Sequence, residues 1–97
     1  MEVRFKGRLF GVKKYTYSNG GAAIVLENVN NEPDDYVKAT INVPGVNLSE
    51  GQVLIKNWSE NEGLLEALEI AGIVSVENRA FEIEGSYEEP VLCRLLI

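Results

Sequence analysis

Residues 56–72 constrain the fold more than any other stretch, because only there do apolar side chains recur at helical spacing between a start and a stop signal. Ser59 with Glu62 three positions later has the form of a capping box, in which each side chain satisfies an amide the helix leaves free. The spacing therefore predicts a helix over about residues 60–71. On a helical wheel Leu64, Ala67, Leu68 and Ala71 share one arc with Leu65 at its edge, and Glu62, Glu66 and Glu69 cluster on the far side. Gly72 follows the last periodic residue, where a left-handed backbone closes a helix at least cost.

The rest of the chain reads as strands and turns. Val3, Phe5 and Leu9 alternate with Arg4, Lys6 and Arg8, which predicts a half-buried strand over about 2–10 with a bulge at Gly7. A bend at Gly11 then gives a second strand through Lys13–Tyr17, and Asn19-Gly20-Gly21 is a hairpin turn leading to Ala22–Glu27, apolar on both faces and so central in its sheet. Tyr36–Val43 alternates, with Val37, Ala39, Ile41 and Val43 inward and Lys38, Thr40 and Asn42 outward, before a Pro44-Gly45 turn of type II. Val53–Asn57, Ile73–Val76, Ala80–Glu84 and Val91–Ile97 are further short strands, the last with Val91, Cys93, Leu95 and Ile97 on one face. The expected fold is α+β: a mostly antiparallel meander of about six to eight short strands packed on one helix, as a single domain spanning residues 1–97.

The chain has no histidine and one cysteine, Cys93, which excludes an internal disulfide and Cys/His zinc sites and removes the commonest general base. No catalytic, cofactor-binding or metal-binding residue is assigned. Cys93, lying in an apolar alternation, reads as a core thiol, and Gly20-Gly21 lacks the helix and lysine of a phosphate loop. Glu32, Asp34 and Asp35 match no calcium loop and read as a solvated turn. An enzyme is not expected. The N-terminal residues lack a secretory pattern and no apolar run is long enough for a bilayer, so the expected location is the cytoplasm.

Charge is uneven along the chain. Residues 1–49 carry six basic and five acidic side chains, whereas residues 50–97 carry three basic against ten acidic. Arg4, Lys6 and Arg8, with Lys13 and Lys14, could contact phosphates, or could pair across strands with Glu82 and Glu84. The net charge of −6 and the lack of a recognition motif argue against a nucleic-acid partner. The acidic helix face is either solvated or docks on a basic protein. In the second reading Trp58, Glu60, Glu62, Glu66 and Glu69 are the partner-binding residues, with Trp58 as an aromatic anchor just before the helix.

The run Lys56-Asn57-Trp58-Ser59-Glu60-Asn61-Glu62-Gly63, with Leu65–Leu68, Ala71-Gly72-Ile73, and Pro90, Cys93, Arg94 and Leu95 near the end, resembles a family of small acidic proteins of Gram-positive phages and conjugative elements. The first half joins that resemblance only through the turn Tyr17–Gly20, and Asn57 stands where an acidic residue is expected. The resemblance implies a non-enzymatic accessory protein that binds and blocks a host defence protein, with a CRISPR nuclease as the sharpest form of the expectation. The alternative is an assembly module of the mobile element that self-associates through an open sheet edge.

Overall fold

The structure is a computed structural model that describes residues 1–30, 35–79, 81–83 and 89–97. In chain order the elements are β1 (Glu2–Phe5), β2 (Arg8–Thr16), β3 (Ala22–Asn28), β4 (Tyr36–Lys38), β5 (Thr40–Ile41), β6 (Gln52–Ile55), a 3-10 turn (Ser59–Asn61), α1 (Leu64–Ile70), β7 (Val74–Asn78) and β8 (Val91–Leu95). The fold is α+β. Two antiparallel four-stranded sheets, ordered β1-β2-β3-β4 and β5-β6-β8-β7, share a core with α1.

The first sheet is the expected meander with β3 inside it, but its start differs from the sequence reading. Residues 2–10 are not one strand: Phe5 pairs with Arg8 around a two-residue turn in which Lys6 and Gly7 both have positive φ, 51° and 75°. Two consecutive left-handed residues form the primed turn that matches strand twist, so Gly7 makes a hairpin where a bulge was expected. β2 then runs unbroken through Gly11, whose neighbours on the flanking strands are Glu2 and Glu27.

The segment 36–43, expected as one strand, is divided at Ala39, and that division joins the two sheets. The Ala39 amide donates to the Ile24 carbonyl at 3.0 Å while its own carbonyl accepts from the Lys56 amide at 2.9 Å. One residue thus completes the edge of β3 on one side and the end of β6 on the other. The break shifts the inside–outside alternation: Thr40, expected outward, is buried, and its hydroxyl accepts from the Ile24 amide and bonds the Tyr17 hydroxyl at 2.8 Å. A buried hydroxyl with two partners satisfies what the interrupted ladder leaves open.

In the second sheet β8 lies between β6 and β7, so the C-terminal strand is tied in as its alternation suggests, with Val91 and Cys93 buried. Phe81–Ile83 is not a strand, and the expected strand's ends Ala80 and Glu84 lie outside the described residues, as do Glu32 and Asp34. α1 contacts β1 and β7, the outermost strands of the two sheets. Leu64, Leu65 and Leu68 are buried from it. Fully burying one leucine contributes roughly 1.5–3 kcal/mol, so this short helix is held by its apolar face rather than by its own backbone hydrogen bonds.

The end of α1 is as the sequence implies. Gly72 has φ 74°, its amide donates to Glu69 at 3.0 Å, and the Ile73 amide reaches back to Leu68 at 2.9 Å. These two crossed bonds form a Schellman closure.

Candidate partner-binding surface

The start of the helix departs most from expectation, and this decides how the acidic residues are presented. The capping box does not form. Trp58 is extended, Ser59 takes φ 57°, and residues 59–61 make a 3-10 turn ended by Glu62; Gly63, at φ 86°, then precedes α1. The continuous helix over 60–71 is thus a 3-10 turn, a left-handed glycine and a two-turn helix. Asn57 provides the side-chain cap instead, its Oδ1 accepting from the Leu65 amide at 2.9 Å. Eight residues separate the two because the 3-10 turn is looped out between them. An isolated glycine inside the helical pattern was the sequence signal for this break.

The looped-out turn is fixed from several sides. Asn61 is buried and its Nδ2 donates to the Lys38 carbonyl at 2.8 Å, fastening the turn to the end of β4 and occupying an acceptor on that sheet edge. Lys6 Nζ donates to the Glu60 carbonyl at 2.7 Å, so the β1–β2 hairpin touches the same turn. Lys56 Nζ lies 2.6 Å from Glu60 Oε1 and 5.9 Å from the Trp58 ring centroid. With the Lys56 ammonium, its own backbone amide and the Ser59 hydroxyl all favouring the ionised form, the Glu60 carboxyl is held down to about 2.

The five residues singled out from sequence therefore fall into two groups. Trp58, half-buried, and Glu60 belong to a knot with Lys56 and Lys6, where Glu60 already has a cation. Glu66 and Glu69 lie on α1, and Glu62 lies in the turn before it, off the helical ridge on which the wheel placed it. Glu69 is 3.5 Å from Arg79, a pairing invisible to helical spacing because it comes from the end of β7. Glu62 and Glu66 make no ion pair among the described residues. Sequence reasoning missed Ile70, which is 88% exposed although it lies in a helix whose three leucines are buried. It stands one turn beyond Glu66 on the same side of α1.

Several ionisable groups elsewhere have local partners. Asp35 pairs with Arg8 at 2.6 Å and accepts from Asn28, which is its observed role in place of the turn carboxylate expected from sequence. The cation stripe of Arg4, Lys6 and Arg8 is not opposed by Glu82: Arg8 uses Asp35 and Lys6 uses the Glu60 carbonyl. Cys93 is buried, and its thiol is pushed up to about 11, first by burial and then by nearby Glu69. No helix among the described residues is long and apolar enough to cross a membrane. Comparison with protein-family models, with curated proteins and with solved structures gives no match.

Proposed function

We propose that this chain is a non-enzymatic, mobile-element-encoded inhibitor that binds a bacterial defence protein in the host cytoplasm and occludes it, with a CRISPR nuclease as the target class. The target class is taken from the family resemblance of residues 56–73 and 90–95. The contact surface is taken from the geometry around α1. The observation that carries the reading is Ile70, an aliphatic side chain 88% exposed, one turn from Glu66, whose charge has no partner among the described residues. An apolar anchor beside free carboxylates suits a partner surface that offers an apolar socket within a basic field. Glu62 adds charge in the turn before α1, at the end opposite Ile70, and the contacts of Lys56 with Glu60 and Trp58 tie that turn to the preceding residues.

The test is capture from host lysate with immobilised wild-type, Ile70→Asp and Glu62→Lys/Glu66→Lys proteins, each at low and high salt. The reading expects one defence subunit to be held by the wild type, lost from both variants and released by salt. Retention of the same proteins by all three would remove α1 as the contact. Recovery of this chain alone, or of element-encoded proteins alone, would favour the assembly module.

A further inference from the structure

The strand register defines a second surface, the face of the first sheet turned away from the core, that owes nothing to α1. In the first sheet Val3, Phe10, Val12, Leu26 and Val37 point inward, so their neighbours along each strand point out. Cross-strand rows then order the outer face. Lys13, Val25 and Lys38 form one row; Glu2, Gly11, Glu27 and Tyr36 form the next; Tyr15 and Ala23 close one end and Arg4 and Leu9 the other.

Gly11 adds no side chain to the centre of this face, the neighbouring Val25 is half-buried, and Ala23 in the end row is buried. Two tyrosines stand on the face: Tyr15 is 51% exposed on β2 and Tyr36 is 52% exposed on β4. Arg4, Lys13 and Lys38 are exposed and make no ion pair among the described residues. Glu27 is engaged by the Tyr15 hydroxyl, which donates to it at 3.1 Å, leaving Glu2 at the strand edge as the other acid. The sequence suggested Arg4, Lys6 and Arg8 with Lys13 and Lys14 nearby. The hairpin at Lys6-Gly7 dissolves the stripe, and the register keeps Arg4 and Lys13 on this face, two rows apart, and adds Lys38 beside Val25.

We infer that the outer face of the first sheet is a platform for single-stranded nucleic acid, with Tyr15 and Tyr36 stacking on bases and Arg4, Lys13 and Lys38 meeting phosphates. Flat sheets bearing separated aromatics and unpaired cations bind unpaired strands because every base has a face to stack while the phosphates need only charge. An acidic peptide would use the cations but not the rings. A duplex keeps its bases stacked inside and cannot use the tyrosines. The overall charge of −6 opposes the approach of a polyanion, so the attraction is confined to this face, and as it runs between exposed charges it weakens with salt.

The experiment is fluorescence anisotropy at low ionic strength with labelled oligothymidylate of roughly 15 nucleotides, enough to cover a single sheet platform. Saturable binding is expected, with Tyr15→Ala and Tyr36→Ala each weakening it at least about fivefold and Tyr→Phe at either position retaining it. With three phosphates met, the slope of log K against log salt is about −2, and Lys13→Gln makes it shallower by about 0.7. Unchanged circular dichroism of the alanine variants separates lost contact from lost fold. Absence of saturable binding, indifference to both tyrosines, equal affinity for the duplex, or equally good displacement by polyglutamate would each overturn the inference.

Discussion

Replacing Asn57 and Ser59 by alanine, one at a time, separates the helix start the sequence suggests from the one the structure has. A capping box at Ser59 and Glu62 would make Ser59→Ala cost about 1 kcal/mol and leave Asn57 immaterial. In the structure Ser59 has φ 57° and makes no cap, whereas the Asn57 carbonyl oxygen accepts from the Leu65 amide at 2.9 Å in a partly buried site. Losing a cap costs about 0.5–2 kcal/mol. An amide shut away from water with no acceptor costs roughly 1–3 kcal/mol. Leu65 is fully buried, so the upper half of the first range applies, and Asn57→Ala should cost about 1.5 kcal/mol. For a chain near 100 residues that lowers Tm by about 6–12 °C, while Ser59→Ala stays within about 0.5 kcal/mol of wild type. Thermal unfolding followed by circular dichroism, with urea midpoints as a check, reads both. Equal losses, or a larger loss for Ser59→Ala, would refute this account of how α1 begins.

Gly72→Ala meets no atom within 4 Å, so its cost is backbone strain at φ 74° alone. Left-handed strain of about 1–2 kcal/mol, partly offset because alanine lowers the entropy of the unfolded chain, leaves a loss of about 1 kcal/mol in urea unfolding; an unchanged midpoint would deny the closure. Glu60 is depressed from 4.5 to about 2, so its pairing contributes above the unfolded value and is lost as pH falls from about 4.5 towards 2. A carboxyl NMR titration should find that low midpoint, and Lys56→Ala should move it back towards 4.5; no movement would exclude Lys56 as the cause. Cys93, buried and raised to about 11, should resist a thiol reagent at pH 8 until the chain unfolds. Prompt labelling of the native protein would contradict its place in the core.

What the sequence made legible was what depends on local chemistry. Gly72 ends the helix as expected because a left-handed residue there needs only glycine, and the arc of Leu64, Leu65 and Leu68 is core because period and burial agree. Glycines at 7 and 63 were placed in the right stretches but given the wrong parts. A positive φ at Gly7 makes a bulge or a hairpin depending on Lys6, which also turns left-handed although a lysine does so at a cost. Gly63 interrupts a pattern that apolar periodicity alone carries through, although its low helix propensity marks the break. Thr40 was assigned outward by strict alternation, and only the crossing of Ala39 from one sheet to the other puts it inside. The Glu69–Arg79 pair and the row Lys13–Val25–Lys38 lay beyond reach for a related reason. They are set by strand register and by chain reversals, which the periodicity of the sequence does not encode.

The central claim, that α1 presents a docking surface for a defence protein, is tested most directly by DNA cleavage. A purified, guide-loaded CRISPR nuclease from a Gram-positive host is titrated with this protein, and cleavage of its target plasmid is followed at fixed salt. The account expects cleavage to stop as the protein approaches stoichiometric amounts, with Ile70→Asp and Glu62→Lys/Glu66→Lys shifting the half-inhibitory concentration upward by tenfold or more, on the order of 1.4 kcal/mol of binding. Full cleavage at a large excess of the wild-type protein, or inhibition undiminished by either variant, would contradict it.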